Sequence, residues 1–298
     1  MRFLSSARGR VAALSLALAG TVLVAAPAHA EQTDITVITH NIRGGQINKG
    51  DLATLNTVSR QVRKHSPDVV MLQEVCASQY VDFKRRFPAS DGWTVHFSER
   101  KYHTGCGEMI GEVIATPRNG ASGLYAPELA SENPDGIKYH LSCLTFLKNG
   151  GREYLACTTH LSAGDKNAAI REAQLNTIKY ELEWSVGYGR GVIFGGDLNT
   201  LPDSPMMNKL YRIRNNGSET GAGSFYEGDQ NDGRYFASAC ANQPFCKSGQ
   251  PTMNGKKVDY VFFNASRTKP TGSTISETIA GKGLSNHNIV RATSRFFW

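Results

Sequence analysis

The chain has 298 residues and carries 33 Lys and Arg against 26 Asp and Glu, for a formal net charge of +7. Hydrophobic residues make up 40% of the chain and aromatic residues 9%, which is enough to build a core and excludes a protein that is disordered throughout. The 30 Gly and 11 Pro are dispersed along the chain, which excludes collagen-like and low-complexity classes.

The first thirty residues have the pattern of a secretory signal peptide. Three Arg lie among the first ten residues, an apolar run occupies residues 11–26, and Ala28-His29-Ala30 matches the small-x-small site that signal peptidase cleaves. A membrane anchor is the alternative, but the run is short for a span. We therefore expect a secreted, extracellular protein without stable membrane insertion, whose residues 31–298 form a single domain. Removal of three Arg and no acidic residue lowers its net charge to +4.

Apolar and alternating runs predict strands at residues 34–40, 68–72, 93–97, 111–115, 139–147, 152–159, 191–194, 258–263, 274–278 and 288–297. Helical spacing of apolar residues predicts helices at 52–64, 78–87 and 166–184. Residues 215–255 are rich in Gly, Asn, Ser and Asp, which predicts long loops tied by a disulfide. Strand pairs outnumber strand–helix–strand units, so we predict two mostly antiparallel sheets flanked by helices.

The six cysteines after residue 30 predict disulfides, because an even number in an exported chain is typical of them, although fifteen connectivities are possible. The turn Asn149-Gly150-Gly151 predicts a hairpin in which Cys143 lies opposite Cys157, within reach of a disulfide. Two facing core thiols are the alternative. Cys240 and Cys246 would close a short loop and leave Cys76 to pair with Cys106. None of these spacings has the form of a zinc site.

Polar residues interrupt or follow the apolar strands at six places. They are HNIRGG at 40–45, QE at 73–74, THLS at 159–162, GGDLN at 195–199, Asp259 in VDYVFF, and SNH at 285–287. A single carboxylate after a strand often caps the next element, and a single His is often structural. Strand ends at one sheet edge, however, present side chains to a common cleft, so six such positions favour one shared site.

The ordered segments HNIRGG, DVVMLQEV, TTHLSAG, GGDLNT, KKVDYVF and LSNHNIV resemble the endonuclease/exonuclease/phosphatase superfamily, which includes pancreatic-type deoxyribonuclease, and they extend over residues 35–290. Together with the leader, they indicate a secreted bacterial member. The resemblance implies a four-layer α/β/β/α sandwich, in which two mostly antiparallel sheets pack face to face with helices outside. It also implies metal-dependent cleavage of phosphate esters.

The resemblance also implies roles for the metal and for the attacking water. Glu74 would hold Mg²⁺, with Ca²⁺ or Mn²⁺ as alternatives, and Asn41 and Asn286 would lie beside it. Magnesium prefers oxygen ligands and often takes one or two protein carboxylates while keeping waters. His287 would act as general base or orient the water, and Asp259 would fix its tautomer.

The remaining roles concern the scissile phosphate. His160 and Asn199 would bind it, and Asp197 would hold the nucleophile or assist the leaving group. Arg43 would contribute to substrate binding. A carboxylate is expected to orient His160, and both Glu108 and Glu112 are candidates.

One departure from the family pattern concerns the last motif, where Ser285-Asn286-His287 stands in place of Ser-Asp-His. Asn keeps the oxygen of the usual Asp but loses its charge, so we expect an active enzyme that needs a higher concentration of divalent ion. A diverged, inactive relative is the alternative, but the presence of every other site residue argues against it.

Export, the basic excess and cations near the expected cleft favour nucleic acid as the substrate, DNA or RNA. The cations are Arg43, Lys49, Lys256, Lys257 and Arg291, unless they merely form a solvated surface. A sphingomyelinase-type phospholipase C is the alternative of the same fold, but the aromatic loop of those relatives is not evident. A non-catalytic or toxin-like module is a third possibility. We expect a monomer without a protein partner.

Overall fold

The secondary structure is described for residues 31–118, 121–212, 214–215, 218–219, 223–230, 232–235, 247–268, 273–277 and 284–298 of a computed structural model. The expected signal peptide and the Cys240–Cys246 pair lie outside these residues. The helices are α1 Ala53–His65, α2 Ala77–Arg86 and α3 Ala168–Gly187. The strands are β1 Gln32–Asn41, β2 Val69–Cys76, β3 Thr94–His103, β4 Glu108–Thr116, β5 Ser122–Tyr125, β6 Glu128–Leu129, β7 Tyr139–His140, β8 Ser142–Lys148, β9 Arg152–His160, β10 Gly191–Asp197, β11 Arg214–Asn215, β12 Ser218–Glu219, β13 Phe225–Glu227, β14 Asp259–Asn264, β15 Ser273–Glu277 and β16 Ile289–Phe297.

Two six-stranded sheets organise the protein. The first sheet has the order β15-β16-β1-β2-β4-β3, and the second has the order β13-β14-β10-β9-β8-β5. The central pair of each sheet, β1–β2 and β9–β10, is parallel, while the flanking pairs are antiparallel. The two short pairs β6–β7 and β11–β12 lie outside these sheets.

Three buried clusters hold the layers together. Inner faces of the two sheets meet in a cluster that includes Val37, Met71, Ile114, Phe146, Ile193 and Phe263. The outer face of the first sheet packs on α1 and α2 through Leu55, Val58, Val70, Leu72 and Phe83. The outer face of the second sheet packs on α3 through Leu175, Ile178, Leu182, Val192 and Phe194. Both faces of the central strands are therefore buried, which confirms the predicted four-layer α/β/β/α sandwich.

The observed strands extend beyond the predicted apolar runs. β2 continues through Gln73 and Glu74 to Cys76, because its pairing with β4 resumes at Val75 after an irregularity that begins at Leu72. β10 likewise continues to Asp197, which pairs with Asp259. The expectation of loops throughout residues 215–255 is wrong for β13, because Phe225 is fully buried against the second sheet and β13 pairs with β14.

Among the residues that the structure describes, two disulfides link parts of the sheets. Cys143 lies directly opposite Cys157 in the β8–β9 pairing and bonds to it, as the hairpin register predicts. Cys76, at the end of β2, bonds to Cys106 in the β3–β4 turn. Such bonds are compatible with an extracellular protein. In the part of the chain that the structure describes, no helix is long and apolar enough to cross a membrane.

Replacing both Cys143 and Cys157 by Ala is expected to lower the free energy of unfolding by about 3 kcal/mol, because the bond closes a short loop in the unfolded chain. Equilibrium unfolding in guanidinium chloride measures this loss. The two single variants are the matched controls, since each already breaks the cross-link and should lose as much as the double variant. If the losses in free energy of unfolding of the two single variants add up to that of the double variant, the sulfur atoms contribute only by packing.

Candidate active site

The predicted site residues converge at one edge of the sandwich, as the strand topology requires. The parallel central pairs bring the carboxyl ends of β1, β2, β9 and β10 to this edge, and β14 and β16, antiparallel to their neighbours, begin there. Asp197 at the end of β10 pairs with both His160 and Asp259. A cavity of about 260 Å³ opens at this edge, and its lining includes Arg43, Glu74, His160, Asp197, Asn199 and His287.

Asn41 links the two sheets at the base of the cavity. Its side-chain Nδ2 donates to Glu74 Oε1 at 2.9 Å and to Asp197 Oδ2 at 3.0 Å. Its Oδ1 accepts the backbone N–H of Arg43 at 3.0 Å. Asn41 is fully buried, and its amide holds one carboxylate from each sheet in place.

Three residues of the site have left-handed backbone conformations. The φ angles of Arg43, Glu74 and Asn199 are 52°, 55° and 47°. Such conformations cost non-glycine residues roughly 1–3 kcal/mol each and persist where the surrounding structure enforces them. Glu74 adopts its angle within the irregularity of β2, which turns its carboxylate toward the cavity.

His287 and Asp259 form a buried ion pair. His287 Nδ1 lies 2.9 Å from Asp259 Oδ2, while His287 Nε2 lies 3.8 Å from Asp197 Oδ2. The backbone N–H of His287 donates to Ser285 Oγ, whose hydroxyl donates to the carbonyl of Asn41. Burial disfavours the charged imidazole, but the Asp259 carboxylate outweighs it and raises the pKa of His287 to about 9.

Asp197 lies at the centre of the site. Its Oδ1 accepts the backbone N–H of Asn199 at 2.9 Å, and its Oδ2 lies 3.4 Å from His160 Nε2. Burial, together with the nearby charge of Asp259, raises the pKa of Asp197 to about 6, although His287 and the hydrogen bonds oppose the shift. The side-chain amide of Asn199 donates to the carbonyl of Leu161 and so joins the ends of β9 and β10.

His160 has a partner that the sequence analysis did not identify. Its Nδ1 lies 2.7 Å from Arg100 Nη1, so a guanidinium occupies the position where a carboxylate was expected. Glu108 instead accepts hydrogen bonds from Ser78 at the start of α2. Glu112 is buried, its carboxylate oxygens have no hydrogen-bond partner among the described residues, and burial raises its pKa to about 8. Arg100 lies in the charged run SERK of β3, which gave no signal of a buried position.

The cations proposed for the cleft separate into two groups. Arg43 lines the cavity, and Lys49 and Lys256 are exposed. Lys257 is buried in an ion pair with Glu227, at 3.1 Å, and Arg291 contacts the ring of His65 at the end of α1. The expectation that Lys257 faces a substrate is therefore wrong, and Arg291 does not belong to the described cavity lining. Sequence reasoning missed Lys101 and His103, which also line the cavity.

Close contacts join the loop after β1 to the β3–β4 turn, next to the cavity-lining residues Gln46 and His103. A Cβ atom on Gly45 would lie 2.5 Å from the ring of His103, and one on Gly105 would lie 2.0 Å from the carbonyl oxygen of Gly45. The loop after β1 therefore packs directly against the His103 ring and the backbone of the β3–β4 turn, with no room for a side chain at position 45 or 105. The Cys76–Cys106 disulfide ties the same turn to the end of β2.

The donor set fits a hard divalent cation. Glu74 Oε2 faces the cavity with Arg43 Nε at 3.9 Å, which is too long for a hydrogen bond, so this oxygen keeps coordinating capacity. Ligand atoms of Asp197, Asp259 and His287 also lie within 4.8 Å of one another, but the last two are bonded to each other. Glu74 is accordingly the better candidate ligand. Asn286 is not part of the described cavity lining, and its Oδ1 is buried without a hydrogen-bond partner among the described residues.

The fold and this site define an α/β sandwich with histidines and carboxylates gathered at one sheet edge. The sequence matches the model of the Endonuclease/Exonuclease/phosphatase family over residues 38–282, and the chain belongs to that family. Members are hydrolases of phosphate esters that generally use divalent metal ions. A search of curated protein sequences gives no significant match.

Solved structures share this fold at low sequence identity. The endonuclease/exonuclease/phosphatase from Beutenbergia cavernae DSM 12333 has a TM-score of 0.63 and 18% identity, over 88% of this chain and 72% of that chain. The human nocturnin catalytic domain with a bound sulfate anion has a TM-score of 0.65 and 15% identity, over 90% of this chain and 98% of that chain. Truncated Caenorhabditis elegans TDP2 has a TM-score of 0.57 and 17% identity, over 89% of this chain and 98% of that chain.

Asp259→Asn is expected to lower the pKa of His287 from about 9 toward its ordinary value of about 6.5, because burial is then opposed only by the weaker attraction of carboxylates such as Asp197 and Glu74. In the wild type, the stability from this raised pKa is fully present below about pH 6.5 and is lost as the pH rises through 9. The variant should therefore lose more stability at pH 6.5 than at pH 9.5.

Nuclear magnetic resonance titration of the imidazole C–H protons of His287, without divalent ions, measures the pKa, and urea unfolding at the two pH values measures the stability. Asp34→Asn, which breaks an exposed pair with Arg295, is the control and should leave His287 unchanged. An unaltered pKa in Asp259→Asn would contradict the electrostatic assignment.

Proposed function

We propose that this protein is a secreted, metal-dependent phosphodiesterase that acts as a monomer on nucleic acid, DNA or RNA, by directing water onto the scissile phosphate. The observation that carries this proposal is the arrangement around Asp197 Oδ2. Two histidine Nε2 atoms, from His160 at 3.4 Å and His287 at 3.8 Å, point to this oxygen from opposite sheets, beside the carboxylate of Glu74.

His287 is suited to take a proton from water. Asp259 holds Nδ1, which leaves Nε2 directed to the cavity, and it stabilises the imidazolium that forms. Because its pKa is about 9, the neutral form of His287 is a strong base that is scarce at neutral pH. The rate in this mechanism should therefore rise with pH through the neutral range.

His160, Asn199 and Asp197 serve the phosphate. Burial, reinforced by Arg100, holds the pKa of His160 well below its usual range, so its imidazole is a neutral donor to a non-bridging oxygen. Asn199 adds the second N–H of its side-chain amide, since only one is bonded to Leu161. Asp197, with a pKa of about 6, can position the water or pass a proton to the leaving oxygen.

Glu74, assisted by Asn41, would hold the divalent ion, which when bound supplies positive charge that offsets the charge developing on the phosphate. Asn286, from the Ser285-Asn286-His287 motif, remains a predicted second ligand. Asn41 has a second task that is independent of the ion, because it keeps the Glu74 and Asp197 carboxylates apart by a shared amide.

Positive charge around the cavity supports an anionic polymer as the substrate. Arg43 and Lys101 line the cavity together with the phosphate-binding groups, and they would pair with neighbouring phosphates of a chain. The sulfate anion in the nocturnin structure is a tetrahedral oxyanion like phosphate, which is consistent with this type of ligand. A sphingomyelinase-type activity remains the alternative of the same fold.

The proposal is tested by incubating the protein with supercoiled DNA, RNA and sphingomyelin vesicles, each with Mg²⁺, Ca²⁺, Mn²⁺ or EDTA. We expect cleavage of nucleic acid that EDTA abolishes. His160→Ala, Asp197→Ala and His287→Ala should each lower kcat by roughly 10²- to 10⁴-fold. His96→Ala, a histidine of β3 that does not belong to the described lining, is the control and should retain activity. Cleavage of lipid alone would overturn the substrate assignment, and near-normal kcat in the three folded variants would overturn the residue roles.

Asn286→Asp is expected to lower the half-saturating Mg²⁺ concentration on the order of tenfold, equivalent to about 1.4 kcal/mol, because it restores a charged oxygen ligand. The measurement is the rate of cleavage against Mg²⁺ concentration at fixed ionic strength. Asn288→Asp, two residues further along the chain, controls for added negative charge. Equal half-saturation in wild type and Asn286→Asp would show that position 286 does not contact the ion.

A further inference from the structure

The contact between Arg100 and His160 determines where the imidazole of His160 carries its proton. Arg100 Nη1 lies 2.7 Å from His160 Nδ1. A guanidinium has only N–H donors and does not lose a proton in proteins. His160 Nδ1 must therefore be the acceptor, and the single ring proton must lie on Nε2, the atom that faces Asp197 in the cavity.

A carboxylate in the same position would produce the opposite tautomer. It would accept a hydrogen bond from Nδ1–H and leave a lone pair on Nε2, unless the ring were charged. The two possible partners thus predict different chemistry at the cavity. Glu112, the buried carboxylate of β4, does not bond to His160 in this structure, and both of its oxygens lack hydrogen-bond partners among the described residues.

Arg100 is itself held in a fixed position. Its guanidinium lies over the ring of Tyr139 at 4.5 Å, and its Nη2 donates to the Tyr139 hydroxyl at 3.2 Å. That hydroxyl donates to Glu132, whose other oxygen accepts the hydroxyl of Ser162 at 2.8 Å. Ser162 lies two residues after His160. The chain of hydrogen bonds that starts at His160 and passes through Arg100, Tyr139 and Glu132 therefore ends close to His160 in the sequence.

The electrostatic surroundings of His160 also oppose a charged ring. The side chain is only 5% exposed, and the cations Arg100 on β3, Arg43 after β1, Lys101 on β3 and His287 before β16 all act against protonation. Asp197 on β10 is the carboxylate that faces Nε2. Burial and the four cations outweigh it, and they keep the pKa of His160 well below its usual range.

We propose that Arg100 is a positioning residue that locks His160 in the Nε2–H tautomer and so provides a hydrogen-bond donor of constant charge for an anionic oxygen of the phosphate ester. This role rests on the proposed function for its substrate. The two histidines of the site then have different roles. His287 exchanges a proton during turnover, whereas His160 keeps its proton throughout and acts only as a hydrogen-bond donor.

The decisive measurement is the tautomer of His160 in the whole protein labelled with ¹⁵N-histidine, observed through two-bond ¹H–¹⁵N correlations and assigned by comparison with His160→Gln. We expect the Nε2–H form without titration between pH 5.5 and 8.5. An Nδ1–H tautomer in the wild type would overturn the proposal and indicate a carboxylate partner. Glu112→Gln should leave the Nε2–H form unchanged, and a change of tautomer in that variant would equally overturn the proposal.

Substitution of Arg100 supplies the kinetic test. Arg100→Met keeps the length but removes the donors, and we expect a 10- to 100-fold lower kcat with a smaller change in KM. His160 should then populate both tautomers or titrate, which adds an ionisation to the pH profile of kcat. Arg100→Lys retains a cationic donor and should recover part of the rate. Arg118→Met, which removes an arginine paired with Asp68, is the matched control and should have a wild-type profile.

The outcomes for the tautomer and for the proposed function are separate. A wild-type protein with Nε2–H on His160 but no phosphodiesterase activity would refute the proposed function and leave the role of Arg100 in fixing the tautomer intact. An active enzyme whose His160 tautomer and pH profile are unchanged in Arg100→Met would refute the lock alone. If Arg100→Met does not fold, the wild-type tautomer, Arg100→Lys and Glu112→Gln decide the question.

Discussion

The site depends on one buried hydrogen bond that joins the two sheets, from Asn41 Nδ2 to Asp197 Oδ2 at 3.0 Å. Without it, two carboxylates from separate sheets would approach one another at a buried edge with no donor between them. The bond is possible because each sheet has one parallel pair at its centre, which sends the ends of β1 and β10 to the same edge. The flanking antiparallel strands then deliver Asp259 and His287 to that edge from their amino-terminal ends.

The two histidines show how surroundings set the chemistry of identical side chains. Both lie within 4 Å of the same oxygen of Asp197. Asp259 behind His287 favours its charged form, whereas Arg100 behind His160 disfavours it. Burial disfavours the charged form of both rings, and the group beside Nδ1 opposes burial at His287 but reinforces it at His160. The chemistry facing the cavity therefore depends on the far side of each ring.

The sequence predicted much of this arrangement, because hydrophobic period and motif order are local signals. The register of the β8–β9 hairpin followed from its Gly-rich turn, and the polar ends of β1, β2, β9 and β10 identified the edge where the cavity lies. Strand ends were placed too early at Leu72 and Phe194, because a buried polar residue continues a strand through backbone pairing that apolar patterning does not record.

The partners of side chains were less accessible from sequence. Arg100 lies in a charged run that resembles a solvated strand, and its burial depends on the Tyr139 ring, which is 39 residues away. Lys257 forms, with Lys256, a basic pair that resembles a phosphate-binding surface, yet Glu227 neutralises Lys257 in the interior. In both cases the deciding contact is between distant segments, so composition around the residue carries no information about it.

The close approach of Gly45 to the β3–β4 turn, with the nearby Cys76–Cys106 bond, has a consequence for selectivity. A rim in which glycine backbone packs this closely and a covalent link lies nearby should resist widening to suit different ligands. Under the proposed function, conformational adjustment would come from the ester, so pliable strands and frayed ends should enter more readily than stiff, bulky ones.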